Sequence, residues 1–201
     1  MDATTLPLME HFYSLQGEGY HTGQAAYFLR LGGCDVECTW CDVKDSWDPS
    51  FHPKVSIDNM TEWVMASGAK NCVITGGEPC MHNLQSLISA LKRGKIQVWL
   101  ETSGTHPISG TPDWICFSPK KFKQPLAPIY QQADELKIVV YHKSDLNWAT
   151  EHAKHVKKTC LLYLQPEWSK KDQILPLLIP FIKENPHWQL SLQIHKYLSI
   201  P

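Results

Sequence analysis

This sequence predicts an α/β fold, a modified and incomplete parallel β/α barrel, on three observations. Short apolar runs alternate with amphipathic segments over most of the chain, the pattern of parallel strands joined by crossover helices. About seven strand candidates occur with fewer good helices, too few for a closed eight-unit barrel of the usual size. Polar, glycine-bearing clusters follow the strands: Gly76-Gly77-Glu78, Glu101-Thr102-Ser103-Gly104, Ser118-Pro119-Lys120, Gln165-Pro166-Glu167 and Gln193-Ile194-His195. In a parallel barrel those strand ends share one rim, where active sites are built.

The elements follow in order. Residues 25–31 form an apolar run that reads as a strand and ends in Gly32-Gly33. Ser56 caps a helix over 56–65, whose apolar residues fall at helical spacing. Residues 71–75 are a short buried strand. Leu84, Leu87, Ile88 and Leu91 mark the apolar face of a helix that Gly94 closes. Strands are expected at 96–100 and 114–117, a Pro-rich loop at 124–128, and a further strand at 136–141. A helix over 144–155 leads to a strand at 159–164. Residues 173–183 have a helical pattern, but Pro176 and Pro180 predict a kinked or short element. The last strand is expected at 188–193. No repeat, low-complexity segment or linker divides the chain, so residues 1–201 are expected to form one domain.

Charge and composition exclude several classes. The 19 Lys and Arg residues balance 20 Asp and Glu, for a net charge of -1, and no long run of one sign is present. Nothing in that balance suits nucleic acid or an acidic membrane. The opening residues lack the basic start and apolar core of a secretion signal, and no apolar run is long enough to span a bilayer. A soluble, cytoplasmic protein is expected. Seven cysteines, an odd number, fit free thiols and a metal site better than a disulfide framework.

Three of them, Cys34, Cys38 and Cys41, lie within eight residues at C-x3-C-x2-C spacing, on a loop that follows a strand. Thiolates are the usual ligands of iron–sulfur clusters and of zinc. A closed structural site wants four ligands, so three leave one position open. Around the rim, Gly76 and Gly77 let backbone approach a ligand that a Cβ would exclude. Glu78 offers a carboxylate to an ammonium group. Ser118 and Lys120 suit a carboxylate or ribose hydroxyls, and Arg30 suits a second carboxylate. An α-amino acid group at the open position matches this set.

The C-x3-C-x2-C loop followed by Gly-Gly-Glu-Pro resembles the radical S-adenosylmethionine superfamily. Within it the chain is similar to the 7-carboxy-7-deazaguanine synthase family. The similarity runs through Tyr13-Ser14-Leu15-Gln16-Gly17-Glu18-Gly19, the Arg30 strand, Trp40-Cys41-Asp42, Thr75-Gly76-Gly77-Glu78-Pro79, Glu101-Thr102-Ser103-Gly104, Ser118-Pro119-Lys120, Gln165-Pro166 and His195-Lys196-Tyr197-Leu198-Ser199-Ile200-Pro201. The resemblance implies a [4Fe-4S] cluster on Cys34, Cys38 and Cys41, with S-adenosylmethionine chelating the fourth iron. It implies contacts to that cofactor from Gly77, Glu78, Ser118, Pro119, Lys120, Gln165, Pro166, Glu167 and Trp168. It also implies contacts to the substrate, 6-carboxy-5,6,7,8-tetrahydropterin, from Leu15, Gln16, Gly17, Glu18, Arg30, Thr75, His195 and Pro201, with the tail 194–201 closing over the site. The implied reaction is a radical ring contraction that releases ammonia and leaves 7-carboxy-7-deazaguanine for queuosine or another deazapurine. A homodimer supplied with electrons by a flavodoxin or ferredoxin is implied as well.

One position departs from the family. Thr or Ser commonly stands two residues after the third cysteine and ligates Mg2+, but here Val43 occupies it. No side-chain magnesium ligand is therefore expected, although a hydrated Mg2+ held chiefly by substrate stays compatible with the residues. Ordinary readings compete elsewhere: a zinc site completed by His11 or His52, a turn role for Glu18, a backbone-bonding role for Glu101, an ion-pair role for Arg30 and a surface role for His195. Cys72, Cys80, Cys116 and Cys160 are expected in the core. The rival activity is a glycyl-radical enzyme activase, which shares the cysteine spacing. A non-catalytic iron–sulfur or zinc module would want a fourth cysteine and no ligand-binding rim.

Overall fold

The computed structural model describes residues 4–201, and residues 1–3, part of the stretch read for a secretion signal, lie outside the described residues. A nine-stranded open sheet forms the frame, in the order β3-β1-β2-β4-β5-β6-β7-β8-β9. Seven of its strands run parallel in chain order: β2 (Ala25–Leu31), β4 (Asn71–Gly76), β5 (Gln97–Thr102), β6 (Trp114–Phe117), β7 (Glu135–Val140), β8 (Leu161–Pro166) and β9 (Trp188–Leu190). These answer the seven expected strands, the last of them shorter than expected. The sheet does not close, as expected of an incomplete barrel.

Two strands were not expected. β1 (Thr5–Leu15) runs antiparallel to β2, and β3 (Lys54–Ser56) pairs with the start of β1. Pro7 and an irregular polar pattern disguise β1, and its register with β2 shifts between Leu8 and Glu10. Such features belong to the margin of a sheet, where a ladder hydrogen bond can be forgone.

Helices cover the outer face. In α1 (Ile57–Ala66) the Ser56 side chain accepts from the Asn59 amide, a cap of about 1 kcal/mol. α2 (Gln85–Arg93) ends at Gly94 as expected. A four-residue turn, α3 (Ile129–Gln132), follows the Pro-rich loop, and α4 (Asp145–Ala153) is shorter than expected at both ends. α5 (Lys171–Glu184) is a correction, because one 14-residue helix runs through both Pro176 and Pro180. The two prolines stand four apart on the exposed side, where water satisfies the carbonyls they orphan. Ile174 and Leu178 on the opposite side are buried in the core, which offsets a cost of about 3 kcal/mol per proline. A last short helix, α6 (Ile194–Leu198), was also unforeseen.

Two apolar layers lie between sheet and helices. One joins β1, β2, β4 and β5 to α1 and α2; the other joins β6 to β9 with α3, α4 and α5, and Ile108 packs against both. Cys72, Cys80, Cys116 and Cys160 are buried free thiols, as expected. Among the described residues no helix is long and apolar enough to cross a membrane.

Candidate active site

Side chains alternate across a strand, so each strand feeds both faces of the sheet. On β2, Tyr27, Leu29 and Leu31 join the outer core, while Ala26 and Phe28 pack on the inner face. Arg30 shares the inner parity. The same count puts Thr75 of β4, Glu101 of β5, Lys137 of β7 and Gln165 of β8 inside, and all five border one cavity of about 260 Å3. The inner face is apolar only low down, where Phe28, Val73 and Trp99 pack together.

Cys34, Cys38 and Cys41 border the same cavity. Their loop is closed at its base, where the Gly33 amide donates to the Ser46 carbonyl (2.6 Å) and the Cys34 amide to the Trp47 carbonyl (3.0 Å). Asp35 anchors it from outside, accepting from Lys123 (2.5 Å) and His106 (2.9 Å). Gly77 must lack a Cβ: one built there would strike the Gly33 carbonyl oxygen and lie 2.7 Å from Cys34 Cβ. Burial pushes the Cys34 thiol up and the Cys38 thiol to about 11, although the Lys120 ammonium partly counters the rise at Cys38. Such thiols stay neutral until a metal replaces their protons.

The donor set fits a polynuclear cluster better than one zinc ion. Neither histidine named for zinc borders the cavity. His52 bonds the Asp45 carbonyl (2.8 Å), and His11 bonds Tyr27 and stacks on Trp63 at 4.3 Å.

The remaining expected residues divide. Gly77, Ser118, Lys120, Gln165, Glu167 and Trp168 border the cavity with the cysteines; Leu15, Gln16, Gly17, Glu18, Arg30, Thr75, His195 and Pro201 border it too, as does Val43. Pro119 and Pro166 do not, and Pro166 is turned away by the alternation that brings Gln165 inside. Glu78 does not border it either. It is 1 % exposed, and its carboxylate accepts from the Cys80 amide (3.0 Å), the Thr102 hydroxyl (2.6 Å), the Ser103 amide (2.7 Å) and the Ser103 hydroxyl (2.5 Å). Glu78 thus braces the end of β5 against the loop after β4.

Arg30 combines its two readings, since its Nε donates to Glu10 (2.5 Å) while the side chain borders the cavity. Lys120 donates to the Ser118 carbonyl and hydroxyl, both at 2.6 Å, and burial pulls its ammonium below the usual lysine range. The tail is tied on several sides. The Ile194 amide donates to the Gly17 carbonyl (3.0 Å), Lys196 pairs with Asp42 (2.7 Å), Tyr197 meets Trp168 edge-on at 5.0 Å, and the Ser14 hydroxyl donates to the Pro201 carbonyl (3.1 Å).

Lys137 was missed. A lone lysine in the apolar run of β7 reads as part of the strand, yet its parity with Glu135 was a signal that both turn inward. Its ammonium donates to Glu18 (2.6 Å) and lies 3.8 Å from Glu101. Glu18 also accepts from Gln193 (2.8 Å), and Gln16 donates to Glu101 (3.0 Å). Burial alone would raise the Glu18 carboxyl, but Lys137, Gln193 and Gln165 hold it at about 2. Burial alone would also lower the Lys137 ammonium, but Cys116, Glu101, Glu18 and Glu135 push it well above the usual range.

The radical SAM superfamily model matches residues 29–117, which contain the end of β2, the cysteine loop and the whole of β4, β5 and β6. A 7-carboxy-7-deazaguanine synthase of Flavobacterium psychrophilum is 50% identical over 200 residues, covering 98% of this chain and 93% of that protein. The enzyme of the same name from Escherichia coli is 35% identical, with 96% and 98% covered. The crystal structure of QueE from Escherichia coli superposes with a TM-score of 0.84 at 33% identity, covering 94% of this chain and 93% of that one. These relatives carry the synthase name, so the activase alternative is not favoured. Family membership implies a [4Fe-4S] cluster and S-adenosylmethionine. The chain belongs to the 7-carboxy-7-deazaguanine synthase family, within the radical SAM superfamily.

Proposed function

We propose that this protein converts 6-carboxy-5,6,7,8-tetrahydropterin to 7-carboxy-7-deazaguanine with loss of ammonia, in the route to queuosine or a related deazapurine. The carrying observation is one cavity that joins three unpaired cysteines to an inner wall of Arg30, Thr75, Glu101, Lys137 and Gln165. Bound there, the reduced cluster and S-adenosylmethionine supply a hydrogen-abstracting carbon radical.

The chain's own residues hold and orient. Cys34, Cys38 and Cys41 would carry the cluster, and Gly77 keeps the floor beside Cys34 open. Ser118, Lys120, Gln165, Glu167 and Trp168 would bind S-adenosylmethionine. Pro119, Pro166 and Glu78 would shape that site from behind, since they do not border the cavity. Leu15, Gln16, Gly17, Glu18, Arg30, Thr75, His195 and Pro201 would hold the pterin, with the Arg30 guanidinium on its carboxylate. The tail 194–201, tied to both Asp42 and Gly17, would close the mouth and exclude water. Val43 borders the cavity without a donor oxygen, so Mg2+ would be held by substrate and water.

The reading extends to a single-domain, homodimeric cytoplasmic enzyme that takes electrons from a flavodoxin or ferredoxin; family membership supports it. Anaerobic reconstitution followed by dithionite, S-adenosylmethionine and carboxytetrahydropterin is the test. Mass spectrometry is expected to find 7-carboxy-7-deazaguanine and 5′-deoxyadenosine. A fully cluster-loaded protein that yields neither would overturn the reading.

A further inference from the structure

Lys137 is the most deeply buried charged group at the cavity, with 5% of its side chain exposed. A buried ammonium costs several kcal/mol unless paired, and an apolar residue of similar length would serve the packing of β7 as well. The lysine answers a different problem. Glu18, from the turn after β1, and Glu101, at the end of β5, both bring a carboxylate to the Lys137 ammonium. Two carboxylates so placed repel, and one would take up a proton if nothing stood between them. Lys137 bonds Glu18 at 2.6 Å and stands 3.8 Å from Glu101, too far for a full hydrogen bond. Glu101 is further held by Gln16 at 3.0 Å and keeps an oxygen free to accept.

On this side of the cavity the two carboxylates stand beside the ammonium groups of Lys137 and Lys120, and the unbonded oxygen of Glu101 is the acceptor left for a ligand. Arg30 stands on β2 and Lys137 on β7, well apart in the strand order. A ligand with a carboxylate at one end and N–H donors at the other is therefore oriented between the Arg30 guanidinium and the Glu101 acceptor. The aminopyrimidinone edge of a tetrahydropterin has such donors side by side, and a carboxylate accepts paired N–H groups well.

We propose that Lys137 is a positioning residue for substrate recognition, holding Glu18 and Glu101 together so that the pair presents a fixed acceptor surface to the N–H edge of the pterin. This rests on the substrate proposed above. Lys137 itself touches no reacting atom.

The test is the Lys137→Met variant of the reconstituted enzyme. KM for carboxytetrahydropterin is expected to rise about 50-fold, as for loss of a charged hydrogen-bond partner. Iron content, KM for S-adenosylmethionine and kcat are expected to change by less than about fivefold, and Lys137→Arg to recover part of the loss. An unchanged pterin KM overturns the proposal, as does an equal rise in both KM values with loss of iron, which marks a merely structural role. If Lys137→Met does not accumulate, Lys137→Gln, which keeps a donor for Glu18 but loses the charge, decides: the same selective rise supports the proposal and an unchanged KM overturns it. Wild type in the same assay separates the failures. No product from wild type sinks the activity reading and this proposal with it, whereas wild-type turnover beside an unchanged variant KM sinks the role of Lys137 alone.

Discussion

Gly17 lies so close to His195 that a Cβ on Gly17 would strike His195 Nδ1 and stand only 2.7 Å from its Cγ. The Gly17 carbonyl also receives the Ile194 amide, so the turn after β1 and the start of α6 are fitted to each other. Both residues border the cavity. Gly17→Ala must therefore push His195 and α6 away from the mouth. We expect kcat/KM for the pterin to fall by about 100-fold, the scale of an ångström-sized misplacement, with iron content unchanged. Wild-type kinetics in this variant would show that the tail does not need its seat on Gly17.

Glu78 and Glu101 sit on neighbouring strand ends but do different work. All four donors to Glu78 come from its own loop and from residues 102–103, two to each oxygen. In Glu78→Gln the amide nitrogen meets a backbone N–H, of Cys80 or of Ser103, whichever way it turns. A buried donor left facing donors costs about 1–3 kcal/mol. For a chain of this size that is a fall in Tm of about 3–10 °C, readable by calorimetry on the loaded enzyme. Glu101→Gln, at a partly open position, is expected to leave Tm within about 2 °C and to raise the pterin KM instead. Equal Tm values for the two variants would remove the distinction.

That contrast shows what the sequence could and could not say. Short apolar runs located the seven parallel strands because those inside the sheet are largely buried on both faces, whereas β9, at the margin, buries only Trp188. Arg30, Thr75 and Gln165 were found through the motifs shared with the family, and their inward direction follows from their places on β2, β4 and β8. The motif around Glu78 pointed at a ligand, but whether its carboxylate reaches the cavity depends on Thr102 and Ser103, which are remote in sequence. Lys137 was hidden because one charge in an apolar strand looks like an exception, and its reason, Glu18, lies 119 residues away. β1 was hidden by Pro7, and α5 was doubted for two prolines that in fact face water. Tertiary context decided each of these cases.

Val43 allows a test of the metal. Its side chain borders the cavity, and the neighbouring Asp42 is occupied by Lys196 at 2.7 Å. Position 43 itself thus offers no side-chain oxygen, and one oxygen of the adjacent Asp42 carboxylate is engaged by Lys196. Chelation of Mg2+ is expected to slow wild-type turnover by less than about threefold, and Val43→Thr to gain about tenfold in Mg2+ affinity by restoring a hydroxyl. Wild-type activity that vanishes with chelator and returns at micromolar Mg2+ would contradict this.

His152 links stability to pH far from the cavity. It is buried on α4, with Nδ1 bonded to the Tyr130 hydroxyl at 2.8 Å and its ring edge-on to Trp148 at 4.3 Å. Burial, with a smaller contribution from His155, pulls its imidazole down to about 4. An unfolded histidine titrates near 6.5. At pH 7 the side chain is neutral in both states, and the difference contributes fully to stability. As pH falls below about 6.5 the unfolded chain binds a proton that the folded chain refuses, so stability declines until the folded imidazole also protonates near 4. With some solvent access at this helix, the span is worth about 2 kcal/mol rather than the full value of the shift. His152→Gln keeps a hydrogen-bonding group beside Tyr130 and cannot titrate. Groups common to both proteins cancel, so denaturation at matched cluster content should show the wild-type advantage over the variant shrinking by about 2 kcal/mol between pH 7 and pH 4. Parallel stability curves for the two proteins would mean that His152 is not the group responsible.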